Sequence, residues 1–202
     1  MTTHEKLKAY ADEVWQENRA RGVETLRPQT REKLLKIASQ NAPKRILELG
    51  TAEGATALSL LAYAPQSFLV TVELSEERAL TARNHFEKAG VEHRVRAVYG
   101  DILEVVPALT EPFDLILLDG PKGAYFDLLA PLLSLLNPKG VLFADDVLFH
   151  GYVTGETAYR SKHGAIIRSL RAFLEEAQKL NGNGYTVELL NTEDGVLILT
   201  KE

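Results

Sequence analysis

Between residues 45 and 145, short apolar runs alternate with helical stretches, and this alternation constrains the fold more than any other feature. The runs "RILELG" (45–50), "FLVTVEL" (68–74), "RVRAVYG" (94–100), "FDLILLDG" (113–120) and "GVLFAD" (140–145) are rich in Val, Ile, Leu and Phe. Their length and composition predict buried strands. Between them, helices are predicted at about 54–63, 76–89, 101–109 and 123–136. Strands joined through helices pair in parallel by right-handed crossovers, so the expected class is α/β, with a Rossmann-like, doubly wound, mostly parallel sheet. The chain then continues with an amphipathic stretch, "KHGAIIRSLRAFLEEAQKL", and two β-rich runs in "GYTVELLNTEDGVLILTKE". The turn-prone "NTEDG" between those runs predicts an antiparallel hairpin on the sheet edge, for seven strands in all.

Two helices precede this core. From Glu5 to about Arg21, Leu7, Tyr10, Ala11, Val14 and Trp15 recur at helical spacing, and a second helix is expected over 29–41, ended by Pro43. Leu7 and Trp15 give the first helix an apolar face that must pack on something, and a homodimer is one way to cover it. At 202 residues and 45% hydrophobic, the expectation is one domain, with 1–42 as N-terminal helices and 43–202 as the core. A net charge of −5 argues against wholesale coating of nucleic acid but leaves room for a local basic patch. The chain has no cysteine, which removes disulfides and thiolate metal sites. "MTTHEKLKAY" lacks the apolar segment of a signal peptide, and no run approaches membrane-spanning length. The expectation is a cytoplasmic protein with no membrane partner.

The segment "ILELGTAEGATALSLL" is strand, glycine turn, helix. Gly50 and Gly54 allow a sharp turn and close approach of a ligand, and a helix beginning there aims free N–H groups at it. A tight βα turn with no ligand would look the same. The position favours a ligand, because this is the first such turn of the series. The dinucleotide pattern of three glycines is broken by Ala52 and Ala55. Glu48, two residues before Gly50, would repel a pyrophosphate but tolerate an ammonium or sulfonium. Glu73 stands twenty-three residues after Gly50, about where an acid accepts from ribose hydroxyls. Asp101 could contact adenine or could simply cap the helix after it.

Asp119 closes one predicted strand, and Asp145 and Asp146 close another. Adjacent carboxylates at the edge of an apolar core repel each other and lose hydration, so something positive should compensate them. If those strand ends are neighbours, the three acids can converge on a hard divalent cation such as Mg²⁺, with water and substrate oxygens completing it. The bland alternative is that they cap helices or sit in water. Lys122, three residues past Asp119, is a solvated loop lysine or a base whose ammonium a nearby dication disfavours.

Taken together, "LELGTAEG", the acid at Glu73, "YGD", "LLDGPKGAY" and "ADDV" resemble class I S-adenosylmethionine-dependent methyltransferases. More narrowly, the chain is similar to the catechol O-methyltransferase-like family of metal-assisted enzymes, from about residue 22 to its end. It is similar above all to the compact bacterial branch that includes tRNA 5-hydroxyuridine methyltransferases, where a "DNVLF-G" segment matches "DDVLFHG" here. The resemblance implies that Glu48 and the Gly50–Gly54 loop face the methionine end of the cofactor. It also implies that Glu73 binds ribose, that Asp101 lies near adenine, and that Asp119 borders the cofactor. It carries the metal triad onto Asp119, Asp145 and Asp146 and the general base onto Lys122. One position departs: the family usually has an amide where this chain has Asp146.

The resemblance implies an enzyme that moves a methyl group from S-adenosylmethionine to a hydroxyl oxygen with a divalent cation. The expected acceptor is 5-hydroxyuridine in tRNA, and the alternative is a small catechol-like or phenolic molecule. For 5-hydroxyuridine in tRNA, "YRSKHGAIIRSLR" (159–171) places Arg160, Lys162, Arg168 and Arg171 together with no acid. A basic solvent face would look the same. For a small catechol-like or phenolic acceptor, Tyr125, Phe149 and Tyr152 could line a pocket. A third reading, a cofactor-binding module that has lost its activity, is opposed by the intact Asp119, Lys122 and Asp145.

Overall fold

The computed structural model describes residues 2–158 and 160–202. Seven strands form one mostly parallel sheet whose C-terminal strands run antiparallel, as the alternation predicts. The chain divides into two compact units, one ending at Ile102 and one beginning at Leu103.

The first unit contains α1 (Thr3–Arg21), α2 (Pro28–Asn41), β1 (Arg45–Leu49), α3 (Ala55–Tyr63), β2 (Phe68–Glu73), α4 (Glu76–Lys88) and β3 (Val95–Tyr99). Its strands lie in the order β3-β2-β1, all parallel. Thr2 and Glu5 start α1 with a reciprocal capping box, and Gly22 ends it at φ 73°. Leu7, Ala11, Val14 and Trp15 are buried, and α1 packs on α3. The Trp15 indole donates to the Leu26 carbonyl at 3.0 Å, and the Arg19 and Arg31 guanidinium groups lie over its ring. The apolar face of α1 is therefore covered within the chain and needs no second copy. Helix α3 is buried from Ala55 through Ala62, which accounts for its lack of charged residues.

The second unit holds β4 (Phe113–Leu118), α6 (Tyr125–Ser134), β5 (Leu136–Ala144), α7 (Gly164–Lys179), β6 (Tyr185–Leu190) and β7 (Val196–Lys201), with the short α5 (Ile102–Ala108) leading in. Its strand order is β4-β5-β7-β6; β4 and β5 are parallel, and β7 is antiparallel to both neighbours. Strand β5 begins earlier than the predicted 140–145. The "NPKG" segment, which lies mostly between the predicted helix and strand, belongs to the strand, with an irregularity in the pairing with β4. Lys139 takes φ 63° there, a Cβ on Gly140 would come within 2.7 Å of the Asn137 carbonyl, and the Asn137 amide donates to Asp114 at 2.7 Å. Lys122 opens a 3₁₀ turn (Lys122–Ala124), and the regular helix starts only at Tyr125, within the predicted 123–136.

Candidate active site

In the first unit, the C-terminal ends of β1 and β2 carry Glu48, Gly50, Gly54 and Glu73. Glu48 is fully buried and lies in register with Thr71. The Thr71 hydroxyl donates to its Oε2 at 2.5 Å, and the Thr51 hydroxyl reaches Thr71 at 2.5 Å. Gly50 and Gly54 take φ 104° and 88°, the left-handed region that glycine enters without strain. Gly54 is small for a further reason. A Cβ there would stand 3.1 Å from the Ala82 methyl and 3.2 Å from the Phe86 ring on α4.

The Glu73 carboxylate accepts from the backbone N–H of Ala52 at 2.8 Å and of Ser75 at 2.9 Å. Glu73 thus fastens the glycine turn to the end of β2, and its remaining lone pairs are the ones left for a ligand. Asp101 stands directly before α5, half-buried. Arg21, at the end of α1, pairs with Glu53 inside the same turn.

In the second unit the register partners Leu118 and Ala144 end β4 and β5, so Asp119 and Asp145 emerge side by side. The Asp145 N–H donates to the Leu118 carbonyl at 3.1 Å. Asp146 follows at φ 56°. Carboxylate oxygens of Asp119, Asp145 and Asp146 lie within 4.8 Å of one another, the one group of metal-ligating type among the described residues. Burial pushes the Asp145 carboxyl up to about 8, and the charges of Asp119 and Asp146 push it the same way. Three carboxylates so placed outnumber the Lys122 ammonium beside them, and hard oxygen donors at this spacing fit a dication.

Lys122 supplies part of that charge. Its Nζ donates to Asp119 at 3.0 Å and to the Tyr125 hydroxyl at 2.9 Å, and lies 3.9 Å from Asp146. Burial would lower its pKa, but Tyr125, Asp119 and Asp146 together hold it well above the ordinary lysine value. The fall expected beside a dication is not the behaviour of this ion-free cluster, where the neighbouring carboxylates keep the ammonium charged.

Tyr125 is the residue that sequence reasoning misplaced. It does not line an acceptor pocket; it is fully buried, edge-on to Phe173 at 5.5 Å. Its hydroxyl accepts from Lys122 and is 3.0 Å from the carbonyls of both Leu118 and Asp145, either of which can take its one proton. Burial raises the pKa of this phenol, so it stays protonated. The signal available in the sequence was its spacing, three residues after Lys122. Phe149 and Tyr152 do cluster, their rings 5.7 Å apart, with His150 and His163 against them. Of the basic stretch, Tyr159 lies outside the described residues; Arg160, Lys162 and Arg168 are exposed. Arg171 is exposed as well, and its guanidinium also donates to the Val153 and Tyr152 carbonyls.

A family model for O-methyltransferases matches residues 4–201. The chain belongs to the O-methyltransferase family. Over 117 residues it is 33% identical to O-methyltransferase hkm8 of Aspergillus hancockii, covering 56% of this chain and 46% of that protein. Over 120 residues it is 31% identical to a catechol O-methyltransferase of Niastella koreensis, covering 57% and 54%. The matches thus span about half the length of these curated relatives. A solved O-methyltransferase from Bacillus cereus in complex with SAH superposes with a TM-score of 0.82 at 25% identity, covering 96% of this chain and 91% of that one. Family membership agrees with the resemblance read from the "LELGTAEG" and "LLDGPKGAY" segments.

Proposed function

We propose that this chain is an S-adenosylmethionine-dependent, divalent-metal-assisted O-methyltransferase whose acceptor carries two neighbouring oxygens, as a catechol does. The observation that carries the reading is the cluster of Asp119, Asp145 and Asp146 with Lys122 anchored beside it by Tyr125. Relatives named catechol O-methyltransferase support the acceptor class, and the SAH complex of the Bacillus cereus protein supports the cofactor. In this proposal the whole chain acts as one methyltransferase domain in the cytoplasm, and no described helix is long and apolar enough to cross a membrane.

In this reading Glu48, the Gly50–Gly54 turn, Glu73 and Asp101 bind and orient the cofactor, which supplies an electrophilic methyl on sulfonium. Asp119, Asp145 and Asp146 would hold Mg²⁺ or a similar ion, which supplies Lewis acidity toward the acceptor hydroxyl. Lys122 would take and hold the acceptor proton once its own ammonium has given one up, which positive charge at the carboxylates would favour, with the Tyr125 oxygen fixing its position. When bound, the cofactor would supply its methyl carbon to the acceptor oxygen in exchange for the carbon–sulfur bond, giving S-adenosylhomocysteine and a methyl ether. Alignment supplies much of the rate, since effective molarities of well-oriented pairs reach roughly 10⁵–10⁸ M.

A second reading, 5-hydroxyuridine in tRNA, is favoured by the exposed Arg160, Lys162 and Arg168 after the carboxylate loop. A homodimer would have to use a face other than the apolar stripe of α1. The test is methyl transfer from labelled cofactor to a catechol panel and to hypomodified tRNA, each with Mg²⁺ and with chelator. Transfer in neither arm, with cofactor bound, would overturn the proposal. Undiminished transfer in chelator would overturn its metal part.

A further inference from the structure

The loop that follows the carboxylates is strained. Asp146, Phe149 and His150 take φ of 56°, 44° and 59°, in a region that residues with a side chain seldom enter. Such a backbone persists only when its surroundings over-determine it. Here the turn between β6 and β7 supplies three such contacts. The Val147 N–H donates to the Gly195 carbonyl at 3.0 Å, and the Leu148 N–H to the Asp194 carbonyl at 2.9 Å. The buried Asp194 carboxylate then accepts from the His150 N–H at 2.5 Å through one oxygen and meets His150 Nδ1 at 3.2 Å through the other. Gly195, at φ 82°, completes the fit: a Cβ there would come within 2.2 Å of Leu148 Cγ.

We infer that Asp194 is a positioning residue, which holds the 146–150 loop in its strained form and thereby sets Asp145 and Asp146 for ion binding. The ion part of this inference rests on the proposed function; the holding of the loop does not. Two oxygens on consecutive donors of one residue fix both the position and the orientation of His150, which neither backbone bond does alone. Partners that act one step behind metal ligands commonly change ion affinity by about 10–100-fold when removed.

The test compares the intact chain with Asp194→Ala and Asp194→Asn, using two readouts. Hydrogen exchange in chelator follows the amides of Val147, Leu148 and His150. Calorimetry follows Mn²⁺ and Mg²⁺ binding, with S-adenosylmethionine binding and melting temperature as controls for the fold. Asp194→Ala should speed exchange at all three amides and weaken ion binding by about 10-fold or more, with cofactor affinity unchanged. Asp194→Asn keeps an oxygen for the His150 N–H and should recover most of both effects. Unchanged exchange in Asp194→Ala overturns the inference whatever the ion does. Faster exchange with unchanged ion affinity overturns its link to the carboxylates. If the intact protein binds no dication, the proposed function fails on that arm, and exchange still decides whether Asp194 holds the loop.

Discussion

Asp145 is the residue whose environment is most demanding, because it is buried between two other acids. Its folded pKa of about 8 lies above the ordinary value of 3.8, so between those values the folded protein binds more protons than the unfolded chain. Ion-free stability therefore falls as pH rises from about 4 to about 8, and Asp145 adds no further slope beyond that. Asp145→Asn should flatten this slope and make the ion-free protein more stable at pH 9 than the parent, as read by urea melts in chelator. Parallel pH profiles for the two proteins would refute that origin. Asp146, where the family usually has an amide, poses a narrower question. Asp146→Asn keeps an oxygen donor and removes one charge, so ion affinity should weaken while turnover at saturating ion is nearly kept. Superimposable metal titrations of activity would mean that Asp119 and Asp145 suffice. Tyr125→Phe removes the acceptor for Lys122 and the one hydroxyl proton shared by the Leu118 and Asp145 carbonyls, at a cost of about 1–3 kcal/mol in stability. Turnover should fall with little change in KM for the acceptor, since the phenol touches the lysine and not the substrate.

The elements meet at points where a single atom matters. Gly54 begins α3 with a left-handed φ while α4 crosses close above it. Gly54→Ala must push the Ala82 and Phe86 contacts apart and strain the turn, which should cost about 1–3 kcal/mol in denaturant melts. The turn itself depends on Glu73. Glu73→Ala leaves the N–H groups of Ala52 and Ser75 without their acceptor. It should therefore both weaken S-adenosylmethionine binding in calorimetry and lower stability. Full cofactor affinity in this variant would remove Glu73 from the cofactor site. The element boundaries that differ from expectation have local causes, such as the pairing irregularity that extends β5 back to Leu136.

At the scale of the molecule, charge separates the two acceptor readings. The chain carries −5 overall, yet Arg160, Lys162 and Arg168 stand exposed in one short stretch. If they contact phosphates, binding to unmodified tRNA should fall steeply with salt, with a log–log slope of about −2 to −3 for three contacts. Replacing all three by alanine should shrink that slope while leaving any catechol turnover intact. Salt-insensitive or absent tRNA binding, with transfer to a catechol, would leave the small acceptor as the substrate class.

The periodicity of the sequence determined the fold class, because alternation of period-two and helical runs allows few ways to bury both. It also determined which acids stand at strand ends, since a carboxylate directly after an apolar run can only emerge there. What it left undecided depends on contacts between distant segments. That Asp119 and Asp145 are neighbours follows from β4 pairing with β5, and pairing is a tertiary choice. The sequence made Leu7 and Trp15 look like a docking face, but α3 and the Leu26 carbonyl cover them within the chain. It showed Tyr125 as one more aromatic, and the hydroxyl that anchors Lys122 acquires that task only when burial leaves it no water. It showed "NTEDG" as a turn. Only the fold brings Asp194 and Gly195 against the loop that carries the carboxylates, because hydrogen bonds across some forty-four residues leave no periodic trace in the chain.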